Sequence, residues 1–401
     1  MKIEMFHYKN NKGWSVKSFP NLDSENTLIF AFCAPEFFNN TAPLLELKKA
    51  YPTSKIAGCS TAGEIYGDTI NDHSISVAVA KFEKSKVKII TEQINDVGQS
   101  QIIGKNLTKA LKSDDLKGII VLSDGLLVNG SALVEGLKED LDPKVVITGG
   151  LAGDGNDFKH TWLLQNDKPV YNCITAIGLY GNDIEIGYGS KAGWDIFGPE
   201  KLITRSQGNI LYEIDGEPAL AVYKKYLGDR AKDLPASGLL FPLSIRESTA
   251  SKNKVVRTIL AIDENNQSMT FAGNIPQGWY AQLMKANFDR LIEAASIASK
   301  LATSEIYMPQ NTLNLAISCV GRRLVLGERT VEEVEASLEH LGENPSMIGF
   351  YSYGEISPSG LASCDLHNQT MTLTTPLFAV DRSTPVGVQQ GGQKGRGCAC
   401  Q

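Results

Sequence analysis

The stretch Lys55-Ile56-Ala57-Gly58-Cys59-Ser60-Thr61-Ala62-Gly63-Glu64-Ile65 decides the interpretation of this chain, because a short apolar run opens directly into a glycine-rich segment. Upstream, residues 28–33 form a continuous apolar run of the kind found in strands that are buried on both faces. Residues 44–51 have helical spacing, and Pro52 ends that pattern. The sequence therefore predicts a strand–helix–strand unit with a glycine-rich loop at its end.

The same order of elements occurs a second time in the middle of the chain. Residues 118–125 predict a strand that ends in a turn, and a helical pattern follows over residues 133–141. Residues 145–148 predict the next strand, which leads into Gly149-Gly150-Leu151-Ala152-Gly153-Asp154-Gly155. This second unit again ends in a glycine-rich loop.

A third unit lies near the C-terminus. Residues 313–319 predict a strand, and Thr330 with Glu333 predicts a capping box at the start of a helix. The following strand leads into Gly349-Phe350-Tyr351-Ser352-Tyr353-Gly354-Glu355-Ile356. That segment and residues 58–65 share the pattern Gly-x-x-[Thr/Ser]-x-Gly-Glu-Ile, which indicates an internal duplication.

Strand–helix–strand units interspersed with antiparallel-looking stretches predict an α/β (α+β) fold, with two related layered domains, mixed sheets and helices packed outside. A helical pattern within residues 213–229 separates two strand-rich blocks. The expected divisions are an N-terminal extension (1–24), a first domain (25–215), a second domain (216–382) and a flexible tail (383–401). The tail is rich in Gly, Gln, Lys and Arg, which is typical of disorder.

The composition excludes two classes of partner. The 401 residues carry a formal net charge of -6 and a pI near 5.6, so general binding to nucleic acid is not expected. No apolar run approaches the roughly 20 residues that cross a bilayer, and the N-terminus lacks the apolar region of a secretory signal. We therefore expect a soluble cytoplasmic protein without membrane insertion, whose seven cysteines are mostly reduced.

The glycine-rich segments suggest where a ligand would bind. In α/β sheets, ligands bind beyond the carboxyl ends of parallel strands, and glycine there lets the backbone approach a ligand or simply make a tight turn. We therefore expect residues 58–65, 149–155 and 349–358 to face one shared pocket, with His367 near its edge.

Side chains in these segments allow more than one chemistry. Glu64 and Glu355 would either bind an amine-bearing ligand or hold a loop by accepting backbone N–H bonds. Cys59 would act as a nucleophile only if a base raised its thiolate fraction, and no histidine is close to it in sequence. Residues 149–155 do not match a phosphate-binding loop. Catalysis is therefore the less favoured interpretation.

Metal binding depends on isolated residues, because the five histidines include no pair with metal-ligand spacing. His367 is the candidate axial ligand of a haem, since a single histidine in apolar surroundings can serve that role. The alternative for His367 is a hydrogen-bonded residue in a turn. Cys398 and Cys400 would bind a soft metal, form a redox-active pair, or be incidental cysteines of a flexible end.

Taken together, these segments resemble the FIST sensory-domain family. Residues 58–65 and 149–155 are similar to motifs of its N-terminal portion, while residues 318–322 and 349–358 are similar to motifs of its C-terminal portion. The resemblance covers about residues 25–380 and implies an intracellular signal-input module for small ligands that is not an enzyme.

Some bacterial members of the family are haem proteins that sense nitric oxide and regulate a histidine kinase. This chain resembles that stand-alone type, and the resemblance favours His367 as the metal ligand of a haem. In these segments and motifs, the residues expected to bind the ligand are Gly58, Cys59, Ser60, Thr61, Glu64, Gly150, Asp154, Arg322, Tyr351, Tyr353 and Glu355.

Two alternatives stand beside the haem-based sensor. The first is a haem-independent sensor of small molecules such as amino acids, which would use Glu64 and Glu355. The second is a thiol-dependent enzyme, which would use Cys59 or Cys319.

Overall fold

The structure is a computed structural model that describes residues 1–165, 168–251, 253–304, 312–359 and 363–378. Its main feature is a strand topology that occurs three times along the chain. We call these copies repeat 1, repeat 2 and repeat 3. The expected tail, with Cys398 and Cys400, lies outside the described residues.

Each repeat contains a first strand, a parallel pair joined by helix, a hairpin and a last strand. The elements of repeat 1 are β1 (Lys2–Lys9), β2 (Gly13–Trp14), β3 (Thr27–Cys33), α1 (Ala42–Ala50), β4 (Lys55–Ser60), β5 (Glu64–Tyr66), β6 (Thr69–Asn71) and β7 (Ser74–Lys81). Those of repeat 2 are β8 (Lys86–Gln93), α2 (Ser100–Leu111), β9 (Leu116–Ser123), α3 (Gly130–Lys138), β10 (Val146–Leu151), β11 (Trp162–Gln165), β12 (Lys168–Tyr171) and β13 (Cys173–Tyr180).

Repeat 3 is longer because it is interrupted after its first strand, β14 (Ile184–Lys191). The interruption, which we call the insertion, comprises β15 (Asp195–Gln207), β16 (Ile210–Ile214), β17 (Glu217–Pro218), α4 (Ala219–Leu227), β18 (Leu243–Arg246), β19 (Val255–Arg257), β20 (Ile259–Asp263), β21 (Ser268–Phe271) and β22 (Tyr280–Lys285). Repeat 3 then continues with α5 (Phe288–Thr303), β23 (Leu313–Cys319), α6 (Val320–Leu326), α7 (Thr330–Leu338), β24 (Ser346–Ser352), β25 (Gly354–Ser359), β26 (Ser363–His367) and β27 (Met371–Phe378).

Each repeat forms most of one mixed sheet. The three predicted units are present as the parallel pairs β3–β4, β9–β10 and β23–β24. The last strands β7, β13 and β27 lie antiparallel beside them, and the first strands β1, β8 and β14 lie antiparallel beside the last strands. The predicted mixed α/β (α+β) class is therefore confirmed.

The hairpins are exchanged among the three sheets in a cycle. The β5–β6 hairpin of repeat 1 pairs with β24 of repeat 3, and the β25–β26 hairpin of repeat 3 pairs with β10 of repeat 2. The β11–β12 hairpin of repeat 2 pairs with β4 of repeat 1. Each sheet therefore contains strands from two repeats. The predicted duplication, which linked residues 58–65 with residues 349–356, corresponds to repeats 1 and 3 of the three repeats.

A glycine holds the same register position in the three parallel pairs. Gly58 pairs with Ala31, Gly149 with Val121 and Gly349 with Ala316. A Cβ atom at these glycines would lie only 2.0, 1.9 and 1.7 Å from the carbonyl oxygen of the paired residue. These glycines are therefore required for close contact between the two strands of each unit.

The inner faces of the three sheets enclose a common apolar core. Phe32 of repeat 1 meets Phe350 of repeat 3 with ring centroids 4.7 Å apart, and Ile120 and Leu122 come from repeat 2. The helices pack on the outer faces, as predicted, with α1 covering the sheet of repeat 1. None of the helices in the described part of the chain is both long and apolar enough to span a bilayer.

The insertion has a core of its own, in which Leu220 and Tyr223 of α4 pack against Phe271. The predicted boundary between domains at residues 215–216 lies inside this insertion. Within the predicted N-terminal extension, β1 pairs with β7 along eight residues and is an integral strand. Helix α2 was not predicted from the sequence.

The predicted capping box at Thr330 and Glu333 is wrong. The residue that precedes α7 is Arg329, and no side chain caps the helix at its N-terminus. The Thr330 hydroxyl donates instead to the carbonyl oxygen of Gly327, at 2.5 Å. Glu333 is fully buried and forms an ion pair with Arg322, because its side chain faces the sheet rather than the helix start.

Candidate functional site

The three glycine-rich segments, which we expected to face one shared pocket, meet and bond to one another near the centre of the molecule. The Tyr351 N–H donates to Gly63 O at 2.9 Å, and the Gly153 N–H donates to Ser60 O at 3.0 Å. The Tyr353 N–H donates to Leu151 O at 3.2 Å. These segments are largely buried strand ends that bond to one another rather than exposed loops.

Glu64 and Glu355 are buried acceptors within this centre. Thr61 Oγ1 donates to Glu64 Oε1 at 2.5 Å, and Ser74 donates to Oε2 from its hydroxyl at 2.6 Å and its N–H at 3.2 Å. Burial raises the pKa of Glu64 to about 8 and that of Glu355 to about 7, although their hydrogen bonds lower both values. Both side chains fix neighbouring segments by accepting hydrogen bonds, which is the structural alternative to binding an amine-bearing ligand.

Arg322 is the centre of a buried polar network. Its Nε lies 2.5 Å from Glu333 Oε1, and both side chains are fully buried. The guanidinium also donates to Leu291 O at 2.7 Å and to Ala192 O. Tyr351 completes the network, because its hydroxyl donates to Glu333 Oε2 at 2.9 Å. Arg322 and Tyr351 therefore connect elements of repeat 3.

Asp154 and Tyr353 join repeats 2 and 3. The Tyr353 hydroxyl donates to the Asp154 carboxylate and accepts from the Asp154 N–H at 3.1 Å. The same carboxylate accepts from the N–H groups of residues 158–160. Burial opposes ionisation of Asp154, but these hydrogen bonds outweigh it and lower its pKa. Phe158 stacks on Tyr353 with ring centroids 4.4 Å apart.

The remaining predicted residues of the centre also serve packing. Ser60 Oγ accepts from the Trp162 N–H at 3.0 Å. A Cβ atom at Gly150 would lie 2.7 Å from a methyl carbon of Ile317. Cys59 is fully buried, and burial raises the pKa of its thiol well above the usual range. Burial likewise raises the pKa of the Cys319 thiol, so neither sulfur is prepared to act as a thiolate nucleophile.

A large cleft lies away from this centre, between the insertion and the sheets of repeats 2 and 3. Its volume is about 980 Å³, at the upper end of the range for small-molecule sites. All of β14 lines one wall, and Ser244 and Val256 of the insertion line another. The cleft is at the amino ends of β9 and β10, marked by Lys117 and Lys144, and not at the carboxyl ends where we expected a pocket.

His367 is the predicted site residue that lines this cleft. Its side chain is 6% exposed, and Nε2 lies 3.1 Å from Ser357 O. A carbonyl oxygen only accepts, so Nε2 carries the hydrogen and Nδ1 presents a lone pair. Burial lowers the pKa of His367; the Asp365 carboxylate and the bond to Ser357 oppose this effect, and the nearby Arg257 guanidinium adds to it. The imidazole is therefore neutral near pH 7.

Four lysines at the cleft were missed by the sequence analysis. Lys117, Lys144, Lys191 and Lys254 each lie within two residues of a strand end. They come from separate segments and form no motif. Their positions relative to strand ends are a weak signal, since nothing in the sequence shows that those ends lie on one side of the molecule.

Two family models together match most of this chain. Residues 27–217 match the family model of the FIST N domain, and residues 219–358 match that of the FIST C domain. The chain belongs to the FIST family. FIST domains are sensory domains of signal transduction, so the predicted family and its general role are confirmed. The junction between the two FIST matches lies within the insertion.

The FIST chain is also similar to an uncharacterized protein of Methanocaldococcus jannaschii. The two sequences are 22% identical over 383 residues, which cover 85% of this chain and 71% of that protein. The similarity therefore extends well beyond the glycine-rich segments.

Proposed function

We propose that this FIST protein is a cytoplasmic sensor that binds a small molecule in the cleft between the insertion and repeats 2 and 3. The cleft itself carries the proposal, because its volume of about 980 Å³ suits an organic ligand and because it lies between two parts of the chain that have different apolar cores. A ligand that contacts both walls favours one relative position of the insertion, which supplies a binding-dependent signal.

The insertion is already connected to the cleft by a buried residue. Arg257 of β19 donates from Nη1 to Leu366 O at 2.8 Å and from Nε to Asn274 O at 3.1 Å. Leu366 precedes His367 in β26. A shift of the insertion would therefore act on the strand that carries His367.

Ligand screening with a blocked cleft tests the proposal. Ser190→Trp with Asn253→Trp fills the cleft from two walls, and Ser18→Trp with Asn106→Trp is a matched control at exposed residues elsewhere. A ligand found by thermal shift should stabilise the wild-type protein and the control saturably, and should lose its effect on the blocked variant. Equal stabilisation of all three proteins would place the ligand outside the cleft and contradict the proposal.

Haem is a specific version of this proposal, supported by the fixed tautomer of His367. Histidines that bind metals usually donate their other ring N–H to a carbonyl, and His367 makes such a bond to Ser357 while lining the cleft. The residues present are thus compatible with haem held by His367. Bound haem would supply an iron that binds nitric oxide, and the partner in that case would be a histidine kinase.

An absorption spectrum tests the haem version. Adding haem to the purified protein should produce a Soret band that shifts in His367→Ala and stays unchanged in His340→Ala, an exposed histidine away from the cleft. Identical spectra for both variants would remove His367 as the ligand, and absence of the band would remove haem.

The two other functions receive less support from the geometry. An amino-acid sensor that uses Glu64 and Glu355 would need free carboxylate oxygens, but each carboxylate already accepts three hydrogen bonds. A thiol-dependent enzyme would need an accessible thiolate, but burial raises the pKa of both Cys59 and Cys319.

A further inference from the structure

We infer that the ligand of the cleft is an organic anion, with an apolar body and at least one carboxylate or phosphate group. This inference depends on the proposed sensory function, since it names the class of ligand for the same cleft. It is independent of haem, because the charge of the cleft and not His367 supports it.

Basic residues outnumber acidic residues in the lining of the cleft. Lys117, Lys144, Lys191 and Lys254 line it together with one acidic residue, Glu185. This balance is opposite to that of the whole chain, whose formal net charge is -6. Four ammonium groups around one cavity favour negatively charged ligands and increase their local concentration.

The four lysines are also available to a ligand. Among the described residues, no carboxylate lies within ion-pair distance of any of them. The nearby carboxylate of Glu200 is instead held by Arg246, at 2.5 Å. A bound anion would therefore meet ammonium groups that are not already neutralised by a direct partner.

Neutral donors are present between the lysines. Ser244 is only 4% exposed, and its hydroxyl has no hydrogen-bond partner within the ranges that the structure describes. Ser190 Oγ accepts from Thr372 Oγ1 at 3.0 Å, which leaves the hydrogen of Ser190 free to donate. Oxyanions accept hydrogen bonds and do not donate them, so hydroxyl donors beside lysines suit a carboxylate or phosphate group.

The other walls indicate that the ligand is organic. Ile186, Val256 and Met284 line the same cleft, which also includes the side chain of Trp194. A free inorganic anion would leave these apolar surfaces in contact with water. An anionic group attached to an apolar body would use both parts of the lining.

Three naphthalene compounds test the charge requirement with the full-length protein. 2-Naphthyl phosphate and 2-naphthoate carry the two anionic groups, and 2-naphthol is the neutral counterpart. At constant ionic strength, calorimetric titration should give saturable binding of at least one anion. The affinity for 2-naphthol should be lower than that for the anion by about tenfold or more. Equal binding of 2-naphthol, or no binding of either anion, would overturn the inference; a preference between the anions identifies the group.

Lysine substitutions locate the effect. Changing Lys117, Lys144, Lys191 and Lys254 to Gln should weaken binding of the anion by about tenfold or more. The matched control changes the exposed lysines 49, 84, 109 and 225 to Gln and should leave affinity unchanged. Equal affinity of the two lysine variants for the anion would overturn the inference. If a neutral ligand bound the wild-type protein but not the Ser190→Trp, Asn253→Trp variant, the inference would fail and the proposed sensory function would stand.

Discussion

Glu64 and Glu355 hold equivalent positions in repeats 1 and 3, and each carboxylate connects a hairpin to the strand that follows it. Glu64 binds the hydroxyl of Thr61 and both donors of Ser74, the first residue of β7. Glu355 binds the hydroxyl of Ser352 at 2.7 Å and both donors of Thr370, the residue before β27. The shared Gly-Glu-Ile pattern is therefore explained by a shared hydrogen-bond arrangement.

Removing either carboxylate should destabilise the fold. Glu64→Ala or Glu355→Ala leaves three buried donors without an acceptor, and we expect a loss of about 3 kcal/mol in the free energy of unfolding. Glu→Gln retains an acceptor and should cost less than Ala at the same position. Denaturant unfolding measures both, with exposed Glu335→Ala as the control. Losses below about 0.5 kcal/mol for Glu64→Ala would show that its bonds are not important for stability.

The same carboxylates should make stability depend on pH. Burial raises the pKa of Glu64 to about 8 and that of Glu355 to about 7, above the usual 4.5, so the folded protein favours their protonated forms. This contribution is fully present below about pH 4.5 and is lost as pH rises through 7 and 8. The double variant Glu64→Gln, Glu355→Gln lacks this pH-dependent contribution, because glutamine does not ionise.

Unfolding midpoints between pH 5 and 9 provide the measurement. The stability of the wild-type protein relative to the double Gln variant should fall as pH rises across this range. A difference that stays constant, or that grows in favour of the wild type, would mean that the two carboxyls are already ionised in the folded protein at pH 5.

The buried Arg322–Glu333 pair should be far more sensitive to substitution than an exposed pair. Glu333→Gln leaves the fully buried guanidinium without a counterion, and we expect a loss of about 3–5 kcal/mol. Glu213→Gln removes the partner of Arg205 in a pair whose arginine is 55% exposed, and it should cost less than about 1 kcal/mol. Thermal and denaturant unfolding compare the two; similar small losses would argue that water reaches Arg322.

The fold could be predicted from the sequence wherever the signal is local. Apolar runs such as residues 28–33 and the helical spacing after them identify each strand–helix–strand unit. The exchange of hairpins could not be predicted, because the pairing of Glu64 with Phe350 joins segments that are distant in the chain. No periodicity encodes such a partner.

The candidate site was harder to predict for a related reason. Glycine-rich segments stand out in a sequence, and here they mark close strand contacts and a buried centre. The cleft is lined by ordinary lysines and serines at strand ends, such as Lys144 and Ser244. His367 was singled out because it follows the third glycine-rich segment and because the family resemblance favours it, not because the surrounding pocket could be inferred.

If the glycines serve strand contact, their substitution should destabilise the protein whether or not a ligand is present. Gly349→Ala would place a Cβ atom 1.7 Å from Ala316 O, and we expect a loss of about 3 kcal/mol or more. Gly342→Ala is the control, because no atom would lie within 4 Å of the new Cβ and only its φ of +85° opposes the change, at about 1–2 kcal/mol. Urea unfolding of both variants without ligand measures the difference, and Gly58→Ala repeats the test in repeat 1. Equal losses at residues 349 and 342 would show that β23 and β24 separate easily, and the glycines would then need a different explanation.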